Sequence, residues 1–344
     1  MSSLKEVALL ARTSTATVSR VINETGFVSD EIRMRVLSAI KELDYQPLER
    51  KGAKSKTKTI ALVTPDIENP FFGKMAKAIS KIANELKYNL LLINLSGLKN
   101  DGGDYLLSLI ASKVDGVLYA SSFRLHDVIE KAQKSHIPLV ILDREFSTIE
   151  IDSVAVNNNQ AGYIATDHLI QLGHRHIGFI GGDFDMEISR NRYEGYSRAL
   201  DDNAIPKNET YMYGGDFSLS AGYDGALALL EAHPEITAIV AANDLMAIGA
   251  INYANFKGLK VPKDISVVGF DDIEMASSFT PSITTVAYPL ERMSQIAVQS
   301  ILTQLANKNS LHESVTLFPQ LVVRHSSGAL ISKEESKHST GGPK

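Results

Sequence analysis

From Ile60 onward the chain repeats one pattern: a short apolar run, a turn, then an amphipathic stretch of several helical turns. The runs are Ile60–Thr64, Leu90–Leu95, Gly116–Ala120, Leu139–Leu142, Ser153–Val156, Ile177–Ile180, Ala238–Ala241 and Ser266–Phe270. Among the intervening helical stretches are Phe71–Lys87, Gln160–Leu172, Arg190–Asn203, Ala221–Ala232 and Leu245–Phe256. Strands separated by helices cannot pair as hairpins, so the alternation predicts parallel sheets with helices on both faces. The roughly 270 residues involved exceed what one such sheet ordinarily needs, and two lobes are expected.

Four runs close with a polar group at the carboxyl end: Asp66, Asp143, the pair Asn243-Asp244, and Asp271. Ligands of open parallel sheets sit outside the carboxyl ends of the strands. Taken singly, each acid can equally serve as a helix N-cap. Four from separate parts of the chain point to one binding cleft.

The first 47 residues follow another rule. Leu4, Val7, Ala8 and Ala11 fall at i, i+3, i+4 and i+7, the apolar stripe of a short helix. After a tight turn at Arg12-Thr13, the stretch Ser14–Asn23 places Val18, Val21 and Ile22 on one face. Thr15, Ala16, Ser19, Arg20 and Asn23 point the other way, a face of small and hydroxylated side chains with one arginine. Two short helices joined by three or four residues describe a helix-turn-helix, whose second helix enters the major groove of DNA. Arg20 has the reach for guanine O6 and N7 or a phosphate, Thr15 and Ala16 meet thymine methyls, and Ser19 and Asn23 hold phosphates. Gly26 ends this helix, and Ser29, Asp30 and Glu31 start a third, with Val36, Leu37, Ile40 and Leu43 as its expected buried face.

Charge follows the same division. Residues 1–59 hold eleven Lys/Arg and seven Asp/Glu, a net +4, so the remainder carries −9 of the total −5. A basic head on an acidic body concentrates phosphate attraction at one end. Residues 48–59 are polar and basic with no apolar face, and read as a linker. There is no cysteine, so disulfide and thiolate chemistry are excluded, in keeping with a reducing cytoplasm. No apolar run approaches a membrane span and the N-terminus lacks a signal core, so no membrane partner is expected.

These residues resemble the LacI/GalR family of bacterial transcription regulators. The resemblance runs through Leu4–Leu43, Pro70-Phe71-Phe72, Gly173–Gly178, Arg192–Gly195, Asn243–Gly249, Val268–Asp272 and Thr280–Thr285. It implies a small all-α helix-turn-helix headpiece (1–47) with Ser14, Thr15, Ala16, Thr17, Ser19, Arg20 and Asn23 against DNA. It further implies an α/β periplasmic-binding-protein-like core of two doubly wound parallel-sheet lobes (60–330). One lobe would span about 60–158 and 289–317, the other about 159–287 and 318–330, with a disordered tail at 331–344. By the same resemblance the partners are a near-palindromic operator, a second copy of the chain, and a small effector that shifts DNA affinity. No cofactor or metal is implied.

The cleft is similar to that of ribose-binding proteins. Asn69, Phe71 and Phe72 match an Asn-Pro-Phe-Phe segment, Asp143-Arg144 an Asp-Arg pair, and Arg192, with Arg190 as a second candidate, an arginine. Phe217, Asn243, Asp271 and Tyr288 are the further positions, Tyr288 standing where glutamine is expected. Aromatic faces stack on the C–H face of a sugar ring while carboxylates and guanidinium forks hold its hydroxyls. Ribose or a related monosaccharide is the favoured effector, a nucleoside or purine the alternative. In the family Tyr-x-Pro is followed by a hinge helix with a minor-groove leucine. Lys51-Gly52-Ala53-Lys54 has none after Leu48, so no conventional hinge helix is expected.

The rival readings are weaker. A receptor of the same core fold has no use for residues 1–47. Gly73-Lys74 lacks a phosphate-loop glycine, and Gly178–Gly182 is not a dinucleotide fingerprint. His174 and His176 read as structural, and Asp183, Asp185 and Glu187 as a solvated loop without the rest of a cation-loop pattern. No nucleophile and base stand out, and no enzyme is expected.

Overall fold

The computed structural model describes residues 3–22, 28–43, 45, 57–96, 106–108, 110, 113–144, 151–307 and 311–330. The expectations for Asn23, Gly26, most of the linker and the tail fall outside them. The chain divides into two compact units, Met1–Ser55 and Lys56–Lys344.

The first unit holds α1 (Leu4–Leu10), α2 (Thr15–Ile22) and α3 (Asp30–Glu42). Helix α1 starts in a capping box: Ser3 N–H donates to Glu6 Oε2 at 2.7 Å and Glu6 N–H to Ser3 Oγ at 3.4 Å. Val7, Ala8, Ala11, Val18, Val21, Val36, Ala39 and Tyr45 form the core. Leu37, expected inside, is 50% exposed. On α3 the i, i+4, i+7 row through Ile32, Val36, Ala39 and Leu43 faces inward, and Leu37 lies about 100° off that row.

The second unit contains two six-stranded sheets. The first comprises β1 (Thr59–Thr64), β2 (Asn89–Asn94), β3 (Gly116–Tyr119), β4 (Leu139–Leu142), β5 (Asp152–Val156) and β11 (Ser314–Leu317) in the order β11-β5-β4-β3-β1-β2, all parallel. The second comprises β6 (Ile177–Gly181), β7 (Met212–Gly214), β8 (Ala238–Ala241), β9 (Ser266–Phe270), β10 (Thr284–Ala287) and β12 (Gln320–Val322). Its order is β12-β10-β9-β8-β6-β7, with only the edge strand β12 antiparallel. Strands β3, β4, β5, β6, β8 and β9 are buried along their whole length, which explains why they read as continuous apolar runs without alternation.

Helices α4 (Pro70–Glu85), α5 (Leu125–Ser135) and α11 (Leu290–Ala306) belong with the first sheet. Helices α6 (Asn158–Gln171), α7 (Glu187–Asp202), α8 (Leu219–Ala232), α9 (Asp244–Phe256) and the short α10 (Glu274–Ser278) belong with the second. The chain passes between the sheets after β5, after β10 and after β11.

Two close approaches fix the second lobe. A Cβ built on Gly195 of α7 lies 1.9 Å from the Asn159 carbonyl oxygen, and one on Gly162 of α6 lies 2.0 Å from that of Arg192. Only glycine lets these helices pack backbone to backbone. His174, 2% exposed, sits within 2.9 Å of Thr237 Oγ1 and 3.1 Å of both Ser266 Oγ and the Gly328 carbonyl, and burial lowers its pKa. It is a structural histidine.

Candidate functional site

In the first unit, α2 is anchored on one face and turns small polar side chains outward on the other. Ser14 Oγ accepts from Thr17 N–H at 3.1 Å and so caps the helix, and it meets Thr17 Oγ1 at 2.9 Å. Val18 and Val21 anchor it in the core. Thr15, Ala16 and Arg20 are exposed, and Ser19 is half-buried beside them. The result is an anchored helix presenting a low-relief surface with one cation.

In the second unit, a cavity of about 500 Å³ opens between the lobes at the carboxyl ends of the strands. Pro65 and Asp66 follow β1, Ser121 and Ser122 follow β3, and Asp143 and Arg144 follow β4. From the second sheet come Asp216 and Phe217 after β7, Leu245 after β8 and Asp271 after β9, with Arg192 reaching in from α7. Phe71 and Phe72 enter from the first turn of α4, their rings edge-on at 5.2 Å.

Three lining residues hold a backbone conformation that L side chains rarely adopt: Asp143 at φ 60°, Phe217 at 68° and Asp271 at 96°. Such residues cost on the order of 1–3 kcal/mol each and persist where the surroundings over-determine them. The anchors are present. Asp143 N–H donates to the Val154 carbonyl and Asp271 N–H to that of Val286, both at 2.9 Å. Asn243 Nδ2 holds the Phe217 carbonyl at 2.8 Å. Each strand end thus turns its side chain into the cleft.

Arg192, 2% exposed, is the centre of the cleft floor. Its Nε donates to Asn158 Oδ1 at 3.0 Å, one terminal nitrogen to the Ala242 carbonyl and the other to the Tyr288 hydroxyl. Asp271 Oδ1 lies 3.7 Å away, and the guanidinium sits 4.8 Å above the Phe270 ring. Tyr288 donates in turn to Asn158 Oδ1 at 2.6 Å and packs edge-on against Phe71 at 5.8 Å.

Burial raises the Asp143 pKa to about 6 against the pull of Arg192, and raises Asp271 to about 6 in the same way. Asp244, behind them, is raised well above its usual range, first by burial and then by Asp271. Burial works against the charge on Arg192, but Tyr288, Asp271 and Asp143 together outweigh it and raise its pKa. Asp143 Oδ1 is buried with no hydrogen-bond partner, an acceptor without its donor.

Of the cleft residues expected from sequence, Asn69, Phe71, Phe72, Asp143, Arg144, Arg192, Phe217 and Asp271 line the cavity together. Three do not. Arg190 turns outward and binds the Phe184 and Asp185 carbonyls at 2.7 Å. Asn243 caps α9 through Met246 N–H at 2.8 Å, and its other end is spent on Phe217. Tyr288 lies beneath the cavity, its hydroxyl occupied by Arg192 and Asn158. Sequence reasoning missed Glu68, Ser121, Ser122, Met186, Ile188, Asp216, Ser218, Leu219 and Leu245. Ser121-Ser122, just past the apolar run at Gly116–Ala120, carried a readable signal: a polar pair at a strand's carboxyl end.

Lys74 of α4 crosses the cleft mouth, its Nζ donating to the Asp272 carbonyl at 2.5 Å. Asp183 caps its own loop through Asp185 N–H at 2.8 Å, and no group of three or more metal-ligating side chains occurs among the described residues. No helix among them is long and apolar enough to cross a membrane.

Residues 3–47 match the family model for bacterial regulatory proteins of the lacI family, and residues 166–327 that for a periplasmic binding protein-like domain. The HTH-type transcriptional regulator DegA of Bacillus subtilis is 35% identical over 96% of this chain and 99% of its own length. The chain belongs to the LacI family. Among solved structures, the transcriptional regulator CelR–cellobiose complex superposes with a TM-score of 0.73 at 31% identity, covering 95% of this chain and 100% of that one. A LacI family regulator of Enterococcus faecium with bound ribose gives 0.72 at 29% identity, covering 79% and 100%. The LacI-family chain is thus a DNA-binding transcriptional regulator of the repressor class with a ligand-binding core, and its relatives are regulators, not enzymes.

Proposed function

We propose that this regulator represses a carbohydrate-utilisation operon and that a small sugar, ribose or a related monosaccharide, is the effector bound between its lobes. The observation that carries the effector reading is the convergence of Asp143, Arg192 and Asp271 with Phe71, Phe72 and Phe217 on one cavity of about 500 Å³. That volume lies within the roughly 300–1,000 Å³ of small-molecule sites. Aromatic edges and faces suit the C–H side of a pyranose or furanose, and the orphan Asp143 acceptor suits a hydroxyl. Two structural relatives that hold saccharides support it. Calorimetry with pentoses, hexoses, nucleosides and purine bases tests the assignment, and heat from purine bases alone would overturn it.

On the DNA side, the reading is a homodimer in the cytoplasm that sets two copies of α2 against the half-sites of a near-palindrome. Thr15, Ala16 and Arg20 face the bases, with Ser14, Thr17 and Ser19 at the backbone. Residues 48–59 link this headpiece to the core. Effector and operator are then coupled through the spacing of the headpieces, and the coupling is reciprocal. Arg20→Ala is expected to weaken operator binding by about 1–3 kcal/mol while leaving non-specific DNA binding less affected. Equal losses on both, in filter binding or fluorescence anisotropy, would reduce Arg20 to a phosphate contact.

A further inference from the structure

We infer that the interlobe cleft discriminates by charge: it takes neutral or cationic donor-rich ligands and rejects phosphorylated or carboxylated ones. This rests on the effector reading of the cleft and narrows its ligand class. Among the described residues, Asp66, Glu68, Asp143, Asp216 and Asp271 line the cavity against Arg144 and Arg192, with no lysine or histidine beside them.

The buried guanidinium is not a free anion receptor. Three of its five N–H groups are taken by Asn158, the Ala242 carbonyl and Tyr288, and Asp271 stands beside it. Helix N-termini are the other ready phosphate cradles, and those of α4, α8 and α9 each have an N–H taken by their own capping side chain. Asn69 Oδ1 accepts from Phe71 N–H at 3.0 Å at the start of α4. Ser218 Oγ accepts from Ala221 N–H at 3.1 Å on α8, and Asn243 Oδ1 from Met246 N–H at 2.8 Å on α9. Helix α7 has no side-chain cap but places Glu187 in its first turn. Meanwhile Asp143 Oδ1 is a buried acceptor with nothing to accept. Among the described lining residues five carboxyl groups thus outnumber two guanidinium groups, one of them largely engaged by the protein itself, and the cleft has acceptors to spare for O–H or N–H groups.

The same arrangement fixes the sign of the pH dependence. Asp143 and Asp271 are held up at about 6 by burial, and the groups facing them are Asp66, Glu68, Arg144, Arg192, Asp216, Asp244, Tyr288 and, at the mouth, Lys74. A ligand that donates hydrogen bonds favours the ionised carboxylates, so its affinity falls as pH drops through about 6. An anionic ligand favours the protonated ones and binds more tightly as pH drops.

The test is calorimetry on the full-length protein at pH 7.5 and pH 5.5 with matched pairs: ribose and ribose 5-phosphate, glucose and glucuronate, glucose and glucosamine, adenosine and its monophosphate. The neutral member of whichever pair binds should exceed its phosphorylated or carboxylated partner by at least about 100-fold at pH 7.5. It should weaken several-fold at pH 5.5. Asp143→Asn should narrow that discrimination, as should the rim change Glu68→Gln, which is remote from the packed floor. A phosphate or carboxylate partner that binds as tightly as its parent at pH 7.5, or a neutral ligand whose binding strengthens at pH 5.5, overturns the inference while leaving the cleft as the effector site. If adenosine binds and no sugar does, the sugar assignment fails and the charge rule stands on the nucleoside pair. Absence of binding by every probe overturns both.

Discussion

Arg192→Met is expected to lower the stability of the core by about 3–5 kcal/mol and to abolish the response to effector. Removing one partner of a buried charge cluster leaves the others uncompensated, and that is where the cost arises. Here Asp271, at 3.7 Å, would lose its counter-ion, and the Ala242 carbonyl and Asn158 Oδ1 would each lose a donor. Methionine roughly fills the volume, so the loss is electrostatic and not a cavity effect. Urea denaturation at pH 7.5 measures it, and a loss below about 1 kcal/mol would show that water or rearranged side chains replace the guanidinium without difficulty. Because Asp143 and Asp271 can take up protons, the deficit should shrink between pH 7.5 and pH 5.5.

Gly195→Ala should be nearly as damaging although it adds a single methyl group. The new Cβ would lie 1.9 Å from the Asn159 carbonyl oxygen and 2.7 Å from the Tyr163 nitrogen, both backbone atoms of α6 that cannot rotate away. Helices α6 and α7 must part, and Arg192 sits less than one turn from the obstruction. A destabilisation of about 3 kcal/mol is expected, at the upper end of ordinary overpacking, together with weakened effector binding. Gly73→Ala is the matched control: nothing lies within 4 Å of its Cβ on the exposed side of α4. Alanine there should raise stability by about 0.5–1 kcal/mol. Comparable losses in both variants, read as melting temperatures, would remove the close-packing explanation.

The buried parallel strands were legible because burial on both faces leaves an unbroken apolar run, as in Val-Val-Gly-Phe before Asp271. Strand β10, Thr284-Thr-Val-Ala, escaped the same reading because two of its buried positions are threonines. Their hydroxyls find partners supplied from elsewhere in the chain, Thr284 Oγ1 with Ser327 Oγ at 2.8 Å and Thr285 Oγ1 with Asp272 N–H at 3.3 Å. Edge strand β11 has only partly buried or exposed residues and carries little pattern. In the cleft, residue type identified Asp143, Arg192 and Asp271. It could not tell that Asn243 and Tyr288 spend their polar atoms on holding Phe217 and Arg192. Whether a side chain is free to meet a ligand depends on hydrogen bonds closed across long sequence separations, and these become visible only in the folded chain.

The placement of β11 governs the order in which the protein can assemble as it is made. Strand β5 is complete at Val156, but its outer neighbour in the sheet is Ser314–Leu317, and Asp152 at its start is bonded by Ser300, Gln304 and His312. The whole second sheet except β12 is translated in between. At about 5–20 residues per second, an open strand edge waits on the order of 10–30 s at the ribosome. The second sheet receives its own last strand only a few residues later, at Gln320–Val322. The two lobes are completed within a few residues of each other, and a nascent chain halted anywhere before residue 317 leaves both unsealed.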